Sequence, residues 1–197
     1  MGAPGTELVA IEQFRNLPRE WLAASAVVDF VLMFGCGKRA VRIRLADTAG
    51  IEHLSSWCDE SHLDFASDSE GFCCVSTEPM AARRILELDR STRPHEIDLG
   101  HALGYPSCCC DRIAMFGESR IDVYAQEVAQ WSFIGCYRRI SPCGYSSGTA
   151  LISHLPCSPD CQESLVIANG ARRFVMANAS EPLLSTLANS ALVRDEC

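Results

Sequence analysis

Lysine is almost missing from this chain of 197 residues: of its 17 basic residues only Lys38 is a lysine. Acidic residues number 25, leaving a net charge of −8. The arginine pairs Arg83–Arg84, Arg138–Arg139 and Arg172–Arg173 are scattered and form no stripe. A nucleic-acid partner needs a continuous basic face, so none is expected. Long apolar runs are also lacking. The longest, VVDFVLMF from Val27 to Phe34, is broken by Asp29 and falls far short of the ~20 residues of a membrane span. The opening MGAPGTELVAIEQF has no basic region leading into an apolar one, so it does not read as a signal peptide. These absences point to a soluble, cytoplasmic protein with no membrane partner. P-loop, dinucleotide-binding, G-x-S-x-G and H-E-x-x-H motifs do not occur either.

What the chain has is cysteine, 12 in all. A reducing compartment and a chain of this length argue against a disulfide framework. Free cysteine also serves as a small core residue. That plain role suits Cys36, Cys58, Cys73, Cys74 and Cys136, while Cys197 is terminal.

The hydrophobic pattern predicts an α+β fold. Residues 7–25 read as short helices, with Pro18 suited to a first turn, and Val27–Phe34 as a buried strand followed by a turn at Gly35–Lys38. Arg39–Leu45 alternates strictly, with Val41, Ile43 and Leu45 on one face, as a half-buried strand does. Asp47 or Thr48 can cap the next helix. Leu63–Ala66 and Phe72–Ser76 form a hairpin around SDSEG. Beyond Thr77-Glu78-Pro79 the period turns helical, with Ala81, Ile85 and Leu88 on one face. Further helices are predicted from His95 to Leu103, from Ser107, through Ile121–Trp131, from Ser158-Pro159 and from Pro182. The expected organisation is a small, mostly antiparallel sheet in residues 1–77 packed on a helical subdomain in 78–197, the whole forming one unit.

Two helix starts then share one feature. "GYPSCCCDR" (104–112) places Cys108, Cys109 and Cys110 in a first helical turn. "HLPCSPDC" (154–161) sets His154, Cys157 and Cys161 around another. Helix N-termini present unpaired N–H groups and a positive dipole end, which stabilise thiolates. Two such starts argue for a shared metal centre. Its expected core ligands are Cys109, Cys157 and Cys161, with Cys108 or His154 as the variable one. Neighbouring helical side chains diverge by about 100°, so three adjacent cysteines do not easily bind one small ion. The run matches neither zinc-ribbon knuckles nor ferredoxin spacing. An iron–sulfur cluster, more tolerant in width, is placed ahead of zinc.

The segments "LGHALGYPSCCCDRIAMFG" and "HLPCSPDCQESLVIAN" resemble a prokaryotic family of unknown function whose members carry LGYPxCC and, later in the chain, H-x-P-C-x-x-x-C. The resemblance implies a shared site at Gly104, Tyr105, Pro106, Cys108, Cys109, His154, Pro156, Cys157 and Cys161. It leaves Cys110 outside and names no reaction.

Around this centre His101, Tyr105 and Arg112 are the candidate catalytic groups, in a pocket lined by at least His101 or Arg112. The leading functional expectation is an iron–sulfur enzyme of lyase, dehydratase or sulfur-transfer type, whose open metal position takes a small polar substrate. The alternatives are a structural-zinc accessory protein with four filled positions and a metal-free thiol redox protein.

Overall fold

Gly37 ends the first long helix, and the rest of the N-terminal half is arranged around that helix. The structure, a computed structural model, describes residues 11–92, 95–133 and 137–193. Helix α1 (Ala24–Cys36) closes at Gly37, whose φ of 72° is left-handed, and the Lys38 amide reaches back to the Leu32 carbonyl. This is the wrapped helix end that a glycine makes without strain.

The strand expected over Val27–Phe34 therefore lies inside a helix. Val28, Phe30, Val31 and Leu32 are all buried, because α1 has a strand against one side and a later helix against another. A segment enclosed in this way has no polar face to reveal its period. Its β-branched and aromatic content then imitates a strand.

Strands β1 (Ala40–Arg44), β2 (Asp64–Ser67) and β3 (Phe72–Ser76) form an antiparallel sheet in the order β1-β3-β2. Arg42 lies opposite Cys74, and Ala66 opposite the same residue on the other side. Val41, Ile43 and Leu45 point into the main core as their alternation requires. On the reverse face Arg42 and Arg44 lay their guanidinium groups over the Phe72 ring, covering apolar surface with charged side chains. Ala40 and Cys74 face a second, smaller core built with Ala82, Ile85, Leu86 and Leu103.

Helix α2 (Thr48–Glu60) is capped by Asp47, whose carboxylate accepts the Ala49 amide at 2.8 Å. Helix α3 (Ala81–Asp89) begins later than Thr77-Glu78-Pro79 suggested. Met80 takes a left-handed conformation, and Asp64 of β2 accepts the Ala82 amide at 2.7 Å. The cap comes from a neighbouring strand, so no local motif marks it. The buried face is accordingly Ala82, Ile85 and Leu86, displaced from the Ala81, Ile85 and Leu88 expected.

Helices α4 (Glu96–Leu103), α5 (Ser107–Phe116), α6 (Ile121–Ala129), α7 (Tyr137–Ile140), α8 (Gln162–Ala177) and α9 (Pro182–Val193) complete the chain. The fold is thus α+β, with a small antiparallel sheet in the N-terminal half and helices after it. The main core runs from Ile11 to Ala191 and draws on residues from both halves. Among the described residues no helix is long and apolar enough to cross a membrane.

Helices α1 and α8 approach each other closely. A Cβ on Gly35 would lie 2.6 Å from the Phe174 Cβ, and one on Gly170 would lie 3.1 Å from the Cys36 sulfur. Each helix thus offers a glycine to a side chain of the other. Gly35→Ala should destabilise the protein by about 1–3 kcal/mol through overpacking, read as a lower urea midpoint. An unchanged midpoint would mean that α8 does not sit this close.

Candidate metal centre

Helix α5 begins immediately after Pro106, whose carbonyl accepts the amides of Cys109 and Cys110, each at 3.0 Å. Gly104 makes that entry possible. It ends α4 with a φ of 83°, and a Cβ there would lie 2.8 Å from the Arg39 amide nitrogen. The first turn of α5 then sends its three adjacent cysteines two ways. Cys108 and Cys109 converge, with their sulfurs 3.9 Å apart. Cys110 turns to α4, where a Cβ on Gly100 would lie 2.5 Å from its sulfur. Its thiol contacts the Tyr105 carbonyl at 3.8 Å, so it packs a helix crossing.

The second pair comes from the start of α8. The helix was expected to open at Ser158-Pro159, but it opens at Gln162 with Cys161 as N-cap. Ser158 instead donates its hydroxyl to Asp160 at 2.8 Å, holding the loop that joins the two cysteines. The Cys161 sulfur lies 3.7 Å from that of Cys108 and 3.8 Å from that of Cys109. With Cys157 included, all four sulfurs lie within 4.8 Å of one another. Cys109 and Cys161 are buried, while Cys108 and Cys157 are half-buried. This quartet could hold a metal ion.

The surroundings favour negative charge on one sulfur of the four, that of Cys161. The Cys157 amide hydrogen-bonds the Cys109 sulfur, and the amide and hydroxyl of Ser164 hydrogen-bond that of Cys161. Ser164 is fully buried and also contacts the Cys109 sulfur at 3.5 Å. Burial raises the Cys161 thiol, but the donors around it outweigh burial and bring it down to about 7. The other three move the opposite way. Burial, then the thiols of Cys157 and Cys161, push Cys108 up to about 12, and burial likewise raises Cys109 and Cys157. One thiolate is stable here without help. The remaining three are protonated at neutral pH in the absence of a cation.

His154 stands beside the quartet, outside the group of four. It is buried, and its Nε2 lies 2.8 Å from the Ser164 hydroxyl. Burial, reinforced by the Lys38 ammonium, lowers its pKa to about 3, so the ring is neutral. Its contact with the sulfurs runs through Ser164, as second-layer groups at metal sites often do.

The three candidate catalytic residues part company. Tyr105 lines a cavity of 340 Å³ that reaches Cys109, Cys110 and His154. His101 lines a different concavity with Arg39, Arg84 and Asp98, and its buried Nε2 has no hydrogen-bond partner among the described residues. Arg112 lies over the rings of Phe116 and Tyr124 and approaches Glu127 at 3.9 Å. The expected pocket therefore exists, but neither His101 nor Arg112 lines it. On α4 His101 projects away from Leu99 and Leu103, which do. Arg112 acts from behind the site, since Tyr124 beside it donates its hydroxyl to the Pro156 carbonyl at 2.6 Å. That bond holds the residue that precedes Cys157.

Sequence reasoning missed Ser164, although it follows Cys161 by three residues, a spacing that puts both on one helix face. Lys38 and Asp29 were missed too. They form a buried ion pair, with Tyr145 donating to the second Asp29 oxygen and Lys38 donating to Ser153 Oγ at 2.8 Å. Asp29 interrupting the apolar run was the available signal, because a buried charge requires a partner. Cys58, Cys73 and Cys74 are core residues, Cys36 packs half-buried against the core, and burial raises all four thiols. Cys136 and Cys197 lie outside the described residues.

Comparison with protein-family models, curated proteins and solved structures found no match.

Three thiols raised well above neutrality and one near 7 set the pH dependence of any ion bound here. Above pH 7 binding must displace three protons, so affinity should fall about a thousandfold for each unit of acidification. Proton release measured by calorimetry in buffers of different ionisation enthalpy checks this. Release of one proton or none would mean the quartet does not bind as a set.

Proposed function

We propose that the protein is a metalloprotein in which Cys108, Cys109, Cys157 and Cys161 hold a single tetrahedral ion, zinc in the first instance. One observation carries this reading: three of the sulfur–sulfur distances fall between 3.7 and 3.9 Å. A zinc ion bonded to four thiolates at about 2.3 Å places them about 3.8 Å apart on the edges of a tetrahedron. An iron–sulfur cubane, the expectation from sequence, bonds each thiolate to a different iron at the outside of a wider body, so the same quartet would have to spread.

The choice of ion bears on the reaction. Four thiolates fill a tetrahedral shell and leave no open position, the arrangement of structural zinc. The lyase, dehydratase or sulfur-transfer chemistry expected at first needs a vacant position that this quartet does not offer. We therefore favour the alternative, an accessory or binding protein in which the ion ties the start of α5 to the start of α8. In doing so it fixes one wall of the neighbouring cavity. Four thiolates together suit a soft or borderline cation such as zinc. Ser164 and His154 would hold the thiolates in orientation from behind.

Metal analysis and an absorption spectrum of anaerobically purified protein test the reading. The expected outcome is one zinc per chain and no visible colour. A brown protein with several irons per chain would restore the cluster, and metal-free protein with freely alkylated Cys108 would favour the thiol reading. Cys161→Ser should abolish stoichiometric binding and loosen α8. Ser164→Ala should weaken zinc about 10–100-fold while leaving the stoichiometry intact. Unaltered affinity in Ser164→Ala would remove its assigned part.

A further inference from the structure

The buried polar network around the chain's only lysine lies directly behind the cavity, and its orientation says what the cavity would accept. Lys38 is deeply buried beside Asp29. Burial lowers its pKa, but Asp29 and the Tyr105 hydroxyl outweigh that and hold the ammonium above its ordinary range. The pair is directional. Asp29 faces Tyr145, and neither residue lines the cavity. Lys38 faces Ser153 and lies 5.0 Å from the centre of the Tyr105 ring. A void of 20 Å³ touches Lys38, Tyr105, Ser153 and His154, and the last three also line the main cavity. The positive end of the ion pair is thus separated from the cavity by two hydroxyl side chains and a neutral imidazole.

Donor accounting gives those hydroxyls a direction. The Ser153 oxygen accepts from Lys38, which leaves its own proton to donate, and no acceptor for it occurs among the described residues. The phenol of Tyr105 is polarised by the same ammonium. Both groups are therefore poised to receive an oxygen that carries negative charge, and charge-assisted bonds of this kind are the strong ones. Arg42, also in the lining, is held by Asp89 through two nitrogens at 2.7 and 2.8 Å, so it is already neutralised.

The remaining wall carries the apolar side chains of Leu99, Leu103, Ile113, Ile121 and Leu155 together with two carboxylates, the exposed Glu118 and Glu96, which accepts the Glu118 amide at 3.1 Å. The volume of 340 Å³ sits at the small end of the ~300–1,000 Å³ that ligand sites span. We propose that this cavity binds a small apolar carboxylic acid, its carboxylate received by Tyr105 and Ser153 in front of the Lys38 ammonium. The proposal goes beyond the metal reading and does not depend on which ion the cysteines hold.

Titration calorimetry with hexanoate, hexanamide and hexylamine tests it, with metal content measured on the same samples so that the two readings fail separately. Hexanoate should bind at least about tenfold more tightly than the amide or the amine. Tyr105→Phe and Ser153→Ala should each weaken hexanoate about tenfold while circular dichroism and metal content stay unchanged. His101→Ala, in the other concavity, should bind hexanoate as the parent does. Binding of hexanoate no tighter than hexylamine, absence of hexanoate binding, or equal binding by both hydroxyl variants would overturn the proposal. Lys38→Met leaves Asp29 without its cation and risks unfolding, which is why the hydroxyl variants carry the test.

Discussion

Four thiol sulfurs crowded into the volume of one ion are the constraint on which the site depends. A single thiolate there is stabilised by amides and by the Ser164 hydroxyl, but each further negative charge repels the first across less than 5 Å, as the 4.8 Å limit on the quartet requires. At that separation in a half-buried site the repulsion amounts to several kcal/mol. A cation at the centre would turn the same crowding into cohesion, and its binding and the docking of the two helix starts would then be one equilibrium.

Several features unrelated in sequence follow from this crowding. Gly104 ends α4 against the backbone of Lys38 and Arg39 and turns the chain into α5, and Gly100 makes room for the Cys110 that the first turn has left over. Tyr124, braced by Arg112, holds the Pro156 carbonyl and so the approach to Cys157. The paired glycines of α1 and α8 fix the second helix start against the core. His154 joins the two polar systems, touching Ser164 on the sulfur side and sharing the small void with Lys38. Being neutral, it can link an anionic centre to a cationic one without adding charge to either.

The α+β class and the convergence of the four cysteines were both legible in the sequence. Cys108, Cys109, Cys157 and Cys161 could be paired because local rules place both segments at helix starts, where thiolates are favoured. The alternating Arg39–Leu45 and the Asp47 cap were equally local and came out as read. What failed depended on tertiary surroundings. Val27–Phe34 became a helix because it is enclosed on both sides, and α3 starts late because Asp64 from another strand caps it. His154 moved one layer back because Ser164 intervenes. His101 and Arg112 lie on helix faces turned away from the cavity, and a helical period fixes relative directions without saying which face meets the site.

X-ray absorption at the metal edge of the purified protein addresses the centre itself most directly. Four sulfur scatterers at about 2.3 Å, with no metal–metal shell, are the result expected of a single tetrahedral ion. A metal–metal distance in the spectrum would establish a cluster in its place. A mixed shell with nitrogen or oxygen would mean that fewer than four of these cysteines bind the ion, and would reopen the vacant position that an enzyme needs.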